Sequence, residues 1–117
     1  VNREMSEYIV KRIELANGFS LRGKKILVVG IAYKPNISDT RETAAELIIN
    51  HLRAKGATVS WHDDLVREWK NERSSSLEGA DISVVVTKHD VDTVSAILKS
   101  APFVFDTTGT VPGAHSL

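Results

Sequence analysis

The stretch KKILVVGIAYKPNISDTRE, Lys24–Glu42, decides how the chain is read. Its first part is a short β-branched apolar run that stops at Gly30, the pattern of a strand buried on both faces, roughly Lys25–Val29. Its second part is a glycine-led loop carrying Tyr33, Lys34, Pro35, Asp39 and Arg41. Beyond the loop, Ala45, Ile48, Ile49 and Leu52 recur at helical spacing, and Gly56 follows as a stop signal. Asp39, with Glu42 three residues later, resembles a capping box and predicts a helix that begins close to Thr40. Strand, loop and helix in this order are the start of a βαβ unit, and loops in that position often hold a phosphate.

Working outward, the same alternation continues. Upstream, Met5, Tyr8, Ile9, Ile13 and Ala16 fall on one helical face, and Gly18 can end that helix. Downstream, ATVSWH (57–62) predicts a second strand, DDLVREWKN (63–71) a short helix or turn, and NERSSSLEG (71–79) a surface loop. DISVVVT (81–87) predicts a third strand, VDTVSAILKS (91–100) a third helix, and FVFD (103–106) a fourth strand before a Gly/Pro-containing tail. The expected fold class is α/β: a Rossmann-like three-layer domain with a mostly parallel sheet of about four to five strands, preceded by an N-terminal helix. Ligands in such sheets sit beyond the carboxyl ends of the strands, at the topological switch point.

Composition narrows the chemistry. The 117 residues suit one domain, and 15 basic residues balance 15 acidic ones, which disfavours a general nucleic-acid or acidic-membrane surface. The absence of cysteine excludes disulfides, thiolate catalysis and cysteine-ligated metals within the chain. No signal peptide is visible, and the longest apolar run, ILVVGIAY, is too short to span a bilayer. A cytoplasmic setting is the expectation. The chain opens on a helical pattern without an initiator Met, which suggests a piece of a longer protein.

At the predicted strand ends, Lys34 and Arg41 near a helix start could hold a phosphate or diphosphate, with Tyr33 offering a flat face to a base or sugar. Pro35 biases Lys34 to an extended backbone. The plainer reading is a connecting loop with solvated charges and Asp39 as a cap. The GxGxxG fingerprint is absent, so close backbone approach to a dinucleotide is disfavoured. Asp63 and Asp64 lie roughly where a ribose-binding carboxylate would, although a turn or cap role suits them better. In TKHD (87–90), His89 could act as a base, but no nucleophile pairs with it in sequence. His62, Asp63, His89 and Asp90 could meet around a metal only if the strand ends converge, so no metal ligand is assigned. Asp106 either starts a turn or joins the cleft.

In order, KKILVVGIAYKPNISDTRE, GATVSWHDDLV, VVVTKHD and FVFDTT resemble the C-terminal domain of the UDP-glucose/GDP-mannose dehydrogenase family. The likeness runs along essentially the whole chain, and the UDP-N-acetyl-hexosamine dehydrogenase branch is the most similar. MSEYIVKRIELANG is similar to the end of the helix that joins the family's two Rossmann-like domains. The resemblance divides the chain into residues 1–18, the end of that connecting helix, and residues 19–117, a nucleotide-sugar-binding domain.

The resemblance implies a two-step, NAD-dependent oxidation of a UDP-sugar to the uronic acid. Tyr33 and Lys34 would contact the nucleotide sugar, and Arg41 would reach toward NAD held mainly by a separate N-terminal domain. No catalytic residue is implied here, because the family's cysteine and glycine fingerprint are not in this chain, which alone is expected to be inactive. Two positions depart from the family: Thr108 stands where many members have an arginine that contacts the nucleotide, and Ser6 where a helix proline is common. Two other readings stay open, a non-catalytic nucleotide-binding module and an oligomerisation domain. For the latter, Met5, Tyr8 and Ile9 could mediate a homodimer; packing of that helix against the chain's own sheet is the alternative.

Overall fold

The computed structural model describes residues 3–117, so the first two positions of the expected 1–18 segment lie outside the described residues. Helix α1 (Arg3–Ala16) leads into strand β1 (Lys25–Val29), helix α2 (Ala44–Ala54) and strand β2 (Thr58–His62). The two-residue strands β3 (Glu68–Trp69) and β4 (Glu72–Arg73) follow, then β5 (Ile82–Val85), α3 (Val94–Leu98), β6 (Phe103–Asp106) and β7 (His115–Ser116). The main sheet has the order β2-β1-β5-β6-β7, and every pairing in it is parallel. This is the Rossmann-like class expected, with five strands.

Alternation along the strands sorts the core into two layers. Ile26, Val28, Val59, Trp61, Ile82, Val84 and Phe105 face α1 and α2, where they meet Ile9, Val10, Ile13, Ile48, Ile49 and Leu52. Leu27, Val29, Val85 and Val104 face the other way, against Ile97 of α3, Val111 and the Leu77–Ala80 loop. Ile9, Val10 and Ile13 are fully buried. Burial of such side chains is worth roughly 1.5–3 kcal/mol each, so α1 is part of the domain's own core. Ser6 reinforces the attachment through a 2.8 Å hydrogen bond between its Oγ and Nδ1 of His51 on α2. Of the residues considered for self-association, Ile9 is therefore committed internally, while Met5 and Tyr8 are exposed. Among the described residues no helix is long and apolar enough to cross a membrane.

Two local expectations are corrected. Helix α2 begins at Ala44, not near Thr40, because Thr43 takes the N-cap and its hydroxyl accepts from the Ala45 N–H. Asp39 is diverted to Arg41, accepting from both its backbone N–H and its guanidinium, and Glu42 has φ +54°, outside the helical region. In the stretch 63–71 the turn reading holds and the helix reading does not: residues 64–65 and 70–71 are turns, and β3 and β4 form an antiparallel hairpin. Its two turn residues, Lys70 and Asn71, both have positive φ, as a tight primed turn requires. The hairpin is pinned by Trp69, whose ring stands edge-on to Trp61, centroids 6.3 Å apart. Finally, the Gly/Pro tail returns to add β7 at the sheet edge.

Candidate functional site

Leaving out the hairpin, the sheet strands run 2-1-3-4-5, so the order reverses between β1 and β5. The loops leaving those two strands diverge there and open a crevice at their carboxyl ends. The first loop carries Tyr33 and Lys34; the second carries Thr87, Lys88 and His89. Gly30 lets them come together: its φ is +97°, and a Cβ there would fall on the backbone of Thr87. Thr87 Oγ1 donates to the Ala32 carbonyl at 2.8 Å, closing the seam.

Beneath the seam lies a buried ionic centre. Asp63, 3% exposed, follows β2 and receives the N–H groups of Ile31 and Ala32 on Oδ2 at 2.8 and 2.9 Å. Its Oδ1 receives the Leu65 N–H at 2.8 Å and lies 2.9 Å from Nε2 of His89, which is 1% exposed. The Asn36 N–H donates to His89 Nδ1 at 2.8 Å, so Nδ1 is the acceptor and Nε2–H is the donor to Asp63. Asn36 and Asp90 complete the tie, through Asn36 Nδ2 to Asp90 at 3.0 Å and Asp90 N–H to Asn36 at 2.8 Å. Asp63 thus gathers backbone amides that a glycine-rich loop would turn toward a phosphate. It does open a turn, as one sequence reading held, and burial removes it from ribose binding. His89 and Asp63 do converge, as a hydrogen-bonded pair.

Above this base, a cavity of roughly 250 Å³ is lined by Tyr33, Lys34, Pro35, Val86, Thr87, Lys88, Thr108 and Thr110. Two lysines, one from each of the two loops, line it together with Thr87, Thr108 and Thr110. A second, open cavity of roughly 460 Å³ is lined by Tyr33, Asp39, Arg41 and Glu42. Tyr33, 53% exposed, stands between the two. Lys34 and Arg41 therefore line different spaces, and the shift of the α2 start to Ala44 removes the single pocket at Thr40 in which sequence reading joined them. Arg41 Nη2 lies 2.7 Å from Asp39 Oδ2, and this contact holds the Asp39 carboxyl down at about 2. Asp106, buried at the end of β6, accepts from the Thr108 N–H and hydroxyl and from the Val111 N–H, so it shapes the loop that delivers Thr108. Larger cavities exist at the hairpin, lined by Arg67, Glu68, Arg73 and Ser74, and along α1. Neither is lined by the loops that diverge at the switch point.

Lys88 and Thr110 line the cleft but are not singled out by the sequence reading. The signal was available in TKHD, but only the strand order brings that segment beside the loop after β1.

A parallel α/β sheet with a lysine-lined crevice at its switch point defines a nucleotide-binding type of domain. Residues 27–112 match the UDP binding domain of the UDP-glucose/GDP-mannose dehydrogenase family, and the chain belongs to that family. A UDP-N-acetyl-D-mannosamine dehydrogenase of Methanococcus maripaludis (strain C7) is 33% identical over 92% of this chain and 28% of its own length. UDP-glucose 6-dehydrogenase 5 of Oryza sativa subsp. japonica is 30% identical over all of this chain and 24% of its own. The chain thus spans about a quarter of the length of these curated relatives. Its fold matches the structure of the UDP-N-acetyl-mannosamine dehydrogenase Cap5O from Staphylococcus aureus with a TM-score of 0.73. That match has 21% identity and covers 97% of this chain and 29% of the other.

Proposed function

We propose that this domain holds the UDP part of a nucleotide sugar for an NAD-dependent 6-dehydrogenase that converts the sugar to its uronic acid. The observation that carries the reading is the shared cleft of Lys34 and Lys88 beside Tyr33 and Thr108. Lys34 and Lys88 act as paired point charges for the diphosphate, and Tyr33 supplies a flat face for the base or sugar. Binding energy taken up here, remote from the reacting carbon, orients the sugar for chemistry carried by groups outside this chain.

NAD would accept the hydride in that reaction. The residues present do not fit a whole dinucleotide: the Ile31 and Ala32 amides are spent on Asp63, and the loop lacks the glycines for close approach. Arg41, exposed at the outer cavity, is the residue that would face a cofactor held by a separate domain. The reading includes that N-terminal NAD-holding domain as partner, residues 1–18 as its connecting helix, homodimer formation, a cytoplasmic setting and a place in polysaccharide supply, as the sequence resemblance implies.

An NMR titration with UDP tests the cleft. Amide shifts concentrated at Tyr33, Lys34, Lys88 and Thr108 are expected; shifts scattered elsewhere, or none at millimolar UDP, would refute it.

A further inference from the structure

We propose that His62, Asp64 and Asp92 form a binding site for a divalent first-row transition cation such as Zn²⁺. One ligand atom from each of the three lies within 4.8 Å of the others. A tetrahedral cation held at about 2.0–2.2 Å from each sets its donors about 3.3–3.6 Å apart, so the 3.2 Å His62–Asp64 pair already fits and the widest separation has to close by up to about 1.3 Å, within reach of side-chain rotation. A neutral imidazole and two carboxylates also match the donor set such ions accept.

Three separate observations point to a cation. His62 Nδ1 lies 2.7 Å from the Ser75 carbonyl, which can only accept, so Nδ1 bears a proton and the neutral ring presents its lone pair at Nε2. That arrangement, with the far nitrogen donating to a carbonyl, is how proteins orient metal-binding histidines. In that form the buried Nε2 lone pair lies 3.2 Å from Asp64 Oδ1, an acceptor facing an acceptor. Asp92 is 95% buried (5% exposed), and its Oδ2 takes the His89 N–H at 3.0 Å. Its Oδ1 and the His62 Nε2 are both buried and have no hydrogen-bond partner among the described residues. Asp63 does not join the set, because its oxygens already serve four N–H donors. Asp64 is exposed, which gives the ion a path from solvent. The ion would bind the β2 and β5 loops together, the pair that also carries the Asp63–His89 bond.

The test is Zn²⁺ titration of the chain by calorimetry at pH 7.5, with the imidazole ¹⁵N signals followed by NMR. Saturable one-to-one binding is expected, with His62 Nε2 shifted as a ligand and Nδ1 still protonated. Asp64→Asn, at an exposed position, should keep the fold and weaken binding at least tenfold; His62→Gln should abolish it. Absence of saturable binding up to millimolar Zn²⁺ would overturn the proposal and leave the triad held by a proton. Unchanged affinity in folded Asp64→Asn, or ligation at His51 or His115 instead, would also overturn it.

Discussion

Asp63 and His89, 26 residues apart in sequence, meet at 2.9 Å beneath the seam between the β1 and β5 loops. The aspartate carboxylate serves four N–H donors: those of Ile31, Ala32, Leu65 and His89. It acts as an internal anion for a loop that would otherwise turn its amides outward, and this leaves ligand binding to side chains above it. Asp63→Asn puts an amide donor against N–H donors and removes the charge. Breaking a buried, multiply hydrogen-bonded partner should cost about 3–5 kcal/mol. Urea unfolding measures it; a loss below about 1 kcal/mol would be inconsistent with this role.

Gly30→Ala should fail for a steric reason. The added Cβ collides with backbone of Thr87, which has no flexible end to move aside, and φ stays at +97°. A loss of about 3 kcal/mol or more is expected, with the seam disrupted. Gly18→Ala makes the control: its φ is also positive, but the Cβ meets nothing, so the cost there should be about 1 kcal/mol.

The Asp39–Arg41 contact sets a pH signature in the loop. The folded carboxyl sits at about 2 against an ordinary 3.8, so its contribution is complete above about 3.8 and is lost as pH falls through about 2. A carboxyl ¹³C titration should place the Asp39 midpoint near 2, and Arg41→Gln should return it toward 3.8. A wild-type midpoint near 4 would contradict the bidentate contact.

The two cavities beside Tyr33 predict divided roles for the basic residues. Lys34→Ala and Lys88→Ala should each weaken UDP binding by about tenfold, a charge-assisted contact being worth about 1.4 kcal/mol or more. Arg41→Ala should leave UDP affinity within about twofold, since Arg41 lines the other space. Calorimetry on the three variants checks this; an Arg41 effect equal to that of Lys34 would mean that the ligand spans both cavities.

Thr108 predicts a gain. It borders the lysine cleft at the position where the family resemblance places an arginine. Thr108→Arg should tighten UDP by roughly threefold to tenfold through an added charge-assisted contact, provided the Asp106 turn survives. A measured decrease in a folded variant would place the diphosphate elsewhere.

The parts of the fold legible in sequence are those governed by local periodicity. Lys25–Val29 reads as a strand because four consecutive apolar residues must face two core layers, and the structure buries all four. The stripe of Ala45, Ile48, Ile49 and Leu52 is likewise buried on α2. The start of α2 was misplaced because Asp39 had two partners to choose between, a helix N-terminus and the Arg41 guanidinium, and the pair won. The hairpin escaped notice because two-residue strands carry no period, and only positive φ at Lys70 and Asn71 marks it. Tyr33 and Lys34, candidates read from their own loop, line the cleft; the place of Lys88 beside them and the Asp63–His89 bond depend on which strands are neighbours, a nonlocal property of β1 and β5.

The most direct test of the proposed function is a crystal structure of the protein with UDP bound. The diphosphate should lie between Nζ of Lys34 and Nζ of Lys88, with the uracil or ribose against Tyr33 and the Asp63–His89 bond intact below. UDP seated instead between Arg67 and Arg73 at the hairpin, or along α1, would contradict it.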